Sequence, residues 1–357
     1  MPAPHAPLVR SWALAISYSA IASVLLALLR MPSPALFGSL LGGMTYALTM
    51  STPLAIPRTA FSVGQGLVGA TIGAMVSLPA LQRLGEDGAS ILAVTFGTLA
   101  ISVLAGRVLG LRRDVSVTTG AFALVAGGAS GITALAHELG ADDRVVTIVQ
   151  YLRVLLVLLT MPLVTRLVFE PPTGVGAASS PPTHWATDTL FAVLSVVVGL
   201  VVARSARIPA GALLGPLLVA VALSVSGLLG PVAVPGLLES AGYALIGVQV
   251  GLRFTRASLR SIAALLPAAT LLIAVVIAAC AAMGVLLSAV TGIDRLSAYL
   301  ATTPGGLYAV LAMAADSGAD VTYVLAVQVI RVFAMLLAAP LLARLLRRRG
   351  DPPVLDS

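Results

Sequence analysis

The sequence is short of charge. Only 10% of its 357 residues are charged, and lysine is missing altogether, so that all 21 basic residues are arginine. A soluble domain of this size carries about 25% charged residues to face water. A chain this poor in charge must meet another solvent over most of its surface. Cysteine is nearly missing too. Cys280 stands alone inside an apolar run, which excludes a disulfide framework and a thiolate metal site and leaves it as a small core residue. Three histidines, His5, His137 and His184, are too few and too scattered for a metal centre. No P-loop, Gly-x-Ser-x-Gly or His-Glu-x-x-His pattern occurs. With no paired acid and base groups either, no enzymatic chemistry, cofactor or metal is expected.

What the chain has is apolar length. It is 59% hydrophobic with a mean hydropathy of +1.04. Its uncharged runs approach the roughly 20 residues that about 30 Å of hydrocarbon requires. Such runs must be helical, because lipid offers no partner to an unpaired backbone group. The net charge of +7 would suggest nucleic acid in a soluble protein. Here the arginines stand at segment ends, where they anchor and orient the chain against the cytoplasmic face, and no nucleic-acid partner is expected. Arg10 precedes an apolar stretch from Trp12 to Leu29. That stretch is too long for a signal-peptide core and shows no small-x-small cleavage site before Arg30, so it is a retained first helix.

Twelve apolar segments follow, near 11–29, 33–50, 60–79, 89–109, 116–136, 145–169, 187–203, 209–227, 240–253, 263–290, 297–315 and 322–346. The long polar interruption at 170–186, with Pro171, Pro172, Gly174, Gly176, Pro181 and Pro182, divides a first repeat (1–169) from a second (187–346), with a tail at 347–357. The halves match. Arg30-Met31-Pro32-Ser33-Pro34-Ala35-Leu36-Phe37-Gly38 corresponds to Arg207-Ile208-Pro209-Ala210-Gly211-Ala212-Leu213-Leu214-Gly215 at a shift of 177. At a shift of 178, Gly64, Gly69 and Gly73 fall on Gly242, Gly247 and Gly251, and Gly127-Gly128 falls on Gly305-Gly306. The same shift brings Gln150 and Arg153 onto Gln328 and Arg331, and Pro162 and Arg166 onto Pro340 and Arg344. A duplicated unit of this kind is how many secondary transporters are built.

The arginines weigh two topologies. If all twelve segments span, the halves are parallel; with the N-terminus inside, 11 arginines lie in cytoplasmic loops and 8 outside. If 116–136 and 297–315 enter and leave on one side, each half has five spans plus a re-entrant hairpin and the halves are inverted. The counts become 15 and 4, with Arg153 and Arg331 inside helices. These two segments also carry the strongest helix breakers, Gly127-Gly128 with Gly131, and Pro304-Gly305-Gly306. The inverted arrangement is favoured and the parallel one stays open. The expected fold is all-α: a polytopic transmembrane bundle of two homologous repeats in the bacterial inner membrane, with both termini cytoplasmic.

Three groups of residues could carry function. Arg153 and Arg331 each lie roughly nine residues into an apolar helix, about 13 Å from its start. A cation there costs roughly 3 kcal/mol or more and faces a bundle interior or a water-filled cavity. Gln150 and Gln328 sit one turn earlier on the same face. This symmetric set could bind an anionic solute, or could tie down carbonyls of the broken segments. The breaks themselves, Gly127-Gly128 with Ser130 and Thr302-Thr303 with Gly305-Gly306, would present helix-terminal N–H groups suited to an anion. The third group is acidic: Glu138, Asp142 and Asp143, then Asp316 and Asp320. Asp142 and Asp320 stand where a helix cap belongs, with coupling of a proton or cation as the rival role. The Gly64 and Gly242 series suits close helix packing.

The duplicated pattern resembles the AbrB family of bacterial membrane proteins, a group distinct from the soluble DNA-binding regulators that share the name. The resemblance rests on Arg207-Ile208-Pro209-Ala210-Gly211-Ala212-Leu213-Leu214-Gly215-Pro216-Leu217, Thr303-Pro304-Gly305-Gly306-Leu307, Gly318-Ala319-Asp320, and Val327-Gln328-Val329-Ile330-Arg331 with Pro340. It covers about 20–346. It implies a membrane protein whose relatives carry labels such as ammonia monooxygenase, regulator of gene expression, or transporter. Copper or iron oxygenation needs histidine and carboxylate ligands, and the apolar segments hold no such cluster. The family's usual Pro-Gly-Gly-Leu-Ser-Glu-Met is altered here to Gly127-Gly128-Ala129-Ser130-Gly131-Ile132 and Gly305-Gly306-Leu307-Tyr308-Ala309-Val310, without the glutamate. The expectation is a secondary transporter of a small organic solute, with a non-transporting membrane regulator as the rival. The partners expected are the bilayer and that solute; oligomeric state is open, a homo-oligomer included.

Overall fold

Apolar length sets the secondary structure. The computed structural model describes residues 6–76, 85–112, 115–125, 141–169, 185–206, 208 and 210–347, and among them every regular element is helical. The first half gives α1 (Ala6–Leu28), α2 (Pro34–Thr49), α3 (Arg58–Met75), α4 (Gly88–Leu109), α5 (Val117–Leu124) and α6 (Asp143–Val164). The second gives α7 (Trp185–Ser205), α8 (Gly211–Ser226), α9 (Gly236–Gly251), α10 (Arg256–Ser261), α11 (Leu266–Thr291), α12 (Arg295–Thr302), α13 (Leu307–Ser317) and α14 (Val321–Arg347). Pro162 lies inside α6 and cannot donate to its ladder; three residues later the helix widens into a π turn, Thr165–Phe169. Helices α2 and α8 begin 177 residues apart, and α3 and α9, α4 and α11, α5 and α12, and α6 and α14 each begin 178 apart.

Five helices are long and apolar enough to cross a bilayer: Leu8–Leu28, Gly88–Leu109, Arg144–Phe169, Trp185–Ser205 and Leu266–Thr291. They leave large apolar side chains such as Leu25, Leu104, Val201 and Leu271 uncovered, as lipid-facing residues must be. This is a multi-pass membrane protein. The segment 297–315 is not one helix but two, α12 and α13, parted at Thr303–Gly306. Its counterpart begins as α5, which ends where Val125 turns extended. Residues 126–140 and 170–184, which contain the first diglycine and most of the polar stretch at 170–186, lie outside the described residues.

The chain folds into two compact units, and each draws on both sequence halves. The first comprises Met1–Leu78, Pro162–Ala257 and Leu311–Thr322; the second comprises Pro79–Met161, Ser258–Val310 and Tyr323–Ser357.

In the first unit, small residues let backbones touch across the halves. Gly69 and Gly73 of α3 lie against the Leu213 and Leu217 carbonyls of α8, and Gly247 and Gly251 of α9 lie against the Leu36 and Leu40 carbonyls of α2. A Cβ at any of these would land on backbone, so the glycine series serves packing. In the second unit, Gly106 of α4 seats Gly120 and Ala121 of α5, and Gly284 of α11 seats Ala298 and Tyr299 of α12. Leu109, Phe122, Leu124, Val149, Ile273, Cys280 and Met335 form the buried core of that unit.

Candidate functional site

The second unit is organised around the C-terminal ends of two short helices, α5 and α12. Asp294 caps α12 by accepting the Ser297 N–H at 2.8 Å, and Ser116 caps α5 by accepting the Thr119 N–H at 3.1 Å. Helix α12 then stops after eight residues, about 12 Å. Pro304 supplies no N–H and drives Thr303 to extended backbone (ψ 127°). The last four carbonyls of any helix lack partners within it, and in lipid they cannot turn to bulk water.

Two side chains of α14 supply those partners. Gln328 Nε2 donates to the carbonyls of Leu300 (2.9 Å), Ala301 (3.2 Å) and Thr303 (3.2 Å). Arg331 Nη1 donates to Thr302 (3.2 Å) and Thr303 (2.8 Å), and its Nη2 donates to Gln328 Oε1. The first half repeats the device. Gln150 Nε2 donates to Phe122 (2.7 Å) and Val125 (2.8 Å), and Arg153 Nη1 donates to Leu124 (3.2 Å). The acceptors Phe122, Leu124 and Val125 stand 178 residues before Leu300, Thr302 and Thr303. The glutamine–arginine pair thus caps the end of α5 and the end of α12, which is the tying role the sequence allowed.

Capping does not exhaust these groups. Among the described residues, Arg153 Nε, Arg331 Nε and Gln150 Oε1 are buried with no hydrogen-bond partner. Both arginines are only 3% exposed. The two guanidiniums lie close enough to repel, with the Cys280 thiol near both. Among the described residues neither arginine forms an ion pair with a carboxylate. The second break also reaches across to the first half: a Cβ on Gly305 would stand 2.8 Å from Val157 Cγ1, and one on Gly306 3.7 Å from Val154 Cγ1, on the helix that bears Arg153.

The remaining sequence candidates divide. Thr302 Oγ1 donates back to Ala298 and Tyr299 (both 3.1 Å) and Thr303 Oγ1 to Tyr299 (2.7 Å), so their hydrogens are engaged within α12 while their lone pairs stay available. Asp142 caps α6, its Oδ1 accepting from the Arg144 and Val145 N–H groups (2.9 and 3.1 Å). Asp320 stands at the equivalent place, directly before α14. Gly127, Gly128, Ser130 and Glu138 lie outside the described residues. Sequence reasoning left Cys280 as plain core. Its place beside both cations has no local signal, because it arises from packing between distant segments.

The family model for AbrB, described as "Transition state regulatory protein AbrB", matches residues 35–347. The chain is 33% identical over 349 residues, 94% of its length and 96% of the relative's, to "Putative regulator AbrB" of Escherichia coli (strain K12). It is also 26% identical over 305 residues, 82% and 79% of the two lengths, to "Uncharacterized protein YhjN" of Bacillus subtilis (strain 168).

Proposed function

This chain belongs to the AbrB family of membrane proteins, and from that premise we propose that it is a secondary transporter of a small organic anion, working by alternating access at the interface of two inverted repeats in the bacterial inner membrane. The observation that carries this reading is the pair of buried guanidiniums, Arg153 and Arg331, mutually repelling and, among the described residues, each with an unpartnered Nε and without a carboxylate. Buried charge demands compensation. A solute anion would supply it between the two capped breaks, near the start of α13, where helix N–H groups are unpaired by the helix itself. Gln150, Gln328, Thr302, Thr303, Gly305 and Gly306 would frame that solute.

Contacts within the first unit support the inverted arrangement. Arg166 donates to the Leu29 carbonyl and to Met31 Sδ, Ser33 donates to Asp316 at 2.6 Å, and Glu239 lies close to Asp316. With five spans in each half, all these residues belong to the outer face. With twelve parallel spans, Arg166 and Glu239 would be on the inner face, a bilayer away from their partners.

The test is a thermal-shift screen of the purified protein against small carboxylates and phosphate esters, with neutral and cationic analogues as controls. Any anion that binds is then titrated against Arg153→Lys and Arg153→Gln, chosen because Arg153 makes fewer capping bonds than Arg331 among the described residues. At least one anion should stabilise the wild type, with affinity falling about tenfold or more in the glutamine variant and less in the lysine variant. If no anion shifts the wild type, or the glutamine variant responds equally, the anion reading fails. The names of the family and of the Escherichia coli relative favour a second reading, a membrane regulator. Movement of a metabolite across the membrane would also alter gene expression, indirectly.

A further inference from the structure

The first unit gathers two carboxylates that, among the described residues, no cation answers. Glu239 stands in the first turn of α9, and Asp316 in the last turn of α13. Ser33, in left-handed conformation (φ 49°) before α2, donates its hydroxyl to Asp316 Oδ2 at 2.6 Å, and its backbone N–H is directed at the same carboxylate. The register of α2 on α9 is fixed by Leu36 against Gly247 and Leu40 against Gly251. Followed one turn back, it brings Ser33 level with Tyr243–Ala244. Tyr243 lies four residues after Glu239, on the same helix face. It is 3% exposed, and its hydroxyl, which meets no partner at good hydrogen-bond geometry, lies beside the Glu239 carboxyl.

Among the described residues no cation is paired with either carboxylate. Helix α2 has no charged residue, and α3 has only Arg58 at its start. The nearby turn between α1 and α2 bears Arg30, and Arg166 is engaged with Leu29 and Met31. Among the described residues neither Glu239 nor Asp316 forms an ion pair. Two carboxylates in poorly solvated proximity do not both ionise readily; one proton held between them removes the repulsion. A calcium-like cation wants about six to eight oxygens, more than this cluster presents.

We propose that Glu239, Asp316 and Tyr243, with Ser33 orienting Asp316, form a binding site for one exchangeable proton in the first unit. Glu239 falls one residue before the apolar segment 240–253, and Asp316 one after 297–315, so both stand at segment ends. Burial and the Asp316 charge push the Glu239 carboxyl up to about 7. Burial also raises Asp316, against the opposing donors of Ser33. The site therefore titrates near neutrality. It concerns this unit alone and stands whether or not a solute is carried at the helix breaks.

The test is infrared difference spectroscopy of the full chain in phosphatidylcholine vesicles, titrated from about pH 5 to about pH 9. The wild type should show a protonated-carboxyl band that disappears with a midpoint near 7. Glu239→Gln, which mimics the protonated form and so keeps the fold, should abolish the band. Asp316→Asn should lower its midpoint by about one pH unit or more, as the repulsion is removed. Tyr243→Phe should raise it by removing a donor to the ionised form. A wild type without the band, or a band unchanged in Glu239→Gln, overturns the proposal. So does a midpoint that moves with added sodium or magnesium at fixed ionic strength, which would assign the site to a metal cation. Because the readout needs no solute, a failed titration leaves the anion-transport reading untouched, and a failed anion screen leaves the proton site untouched.

Discussion

At the scale of single residues, the broken helices explain why cations and amides stand so far inside an apolar helix. Among the described residues Gln328 holds three carbonyls and Arg331 two, whereas Gln150 holds two and Arg153 one. A buried polar group left unpaired costs about 1–3 kcal/mol. Gln328→Leu should therefore destabilise the protein by at least that amount, and Arg331→Met should cost more than Arg153→Met. Thermal denaturation in detergent gives the order; equal losses for the two arginines would mean the capping bonds are not what holds the breaks. The pairing of Gln150 with Arg153 and of Gln328 with Arg331 was legible in the sequence, because i, i+3 spacing fixes a shared face. The acceptors were not, since carbonyls have no residue type to announce them. Glu239 gives a second residue-scale prediction. Its carboxyl is raised from an ordinary value near 4.5 to about 7 in the folded protein. Between those values the unfolded chain ionises while the folded one stays protonated, so stability falls as pH rises through that window and levels off above it. Melting temperatures recorded across the window should decline in the wild type and decline less in Glu239→Gln, where the remaining slope comes from Asp316.

At the scale of helices, the helix starts were the most legible feature: five pairs of them recur at shifts of 177 or 178 residues. Hydropathy could not distinguish a continuous apolar segment from an interrupted one, and 297–315 showed its break only through Pro304 and the diglycine behind it. Nor could it show that each compact unit interleaves both halves, because that depends on contacts such as Ser33 with Asp316, 283 residues apart. The glycine series gives a sharp prediction here. Gly247→Leu and Gly69→Leu drive a side chain into the Leu36 and Leu213 carbonyls, and backbone cannot yield as a flexible side chain can. Each should cost about 1–3 kcal/mol or prevent folding. Gly88→Ala, at the first residue of α4 with nothing within 4 Å of an added Cβ, should be neutral or stabilise by about 0.4–1 kcal/mol. Similar losses at Gly88 and Gly247 would show that chain flexibility, not close packing, governs these positions.

At the scale of the whole molecule, the question is which way the second half faces. The two topologies disagree most sharply on either side of α9. In the inverted arrangement, residues 228–239 face outward and 253–260 inward; in the parallel arrangement they exchange sides. The arginines at 253, 256 and 260 prefer the cytoplasm, and the wider count of 15 inside against 4 outside agrees. The chain lends itself to a direct test because its one cysteine, Cys280, is fully buried and can be replaced by alanine. In that background, single cysteines at Leu228 and Arg256, both exposed, report the two loops. A membrane-impermeant maleimide added to intact spheroplasts should label Leu228→Cys at once, and Arg256→Cys only after the membrane is opened. The reverse pattern would place twelve spans in parallel. It would also separate Arg166 from Leu29 and Glu239 from Asp316 by the thickness of the bilayer, so the same labelling would sink the contacts on which the proton site and the inverted repeat both rely.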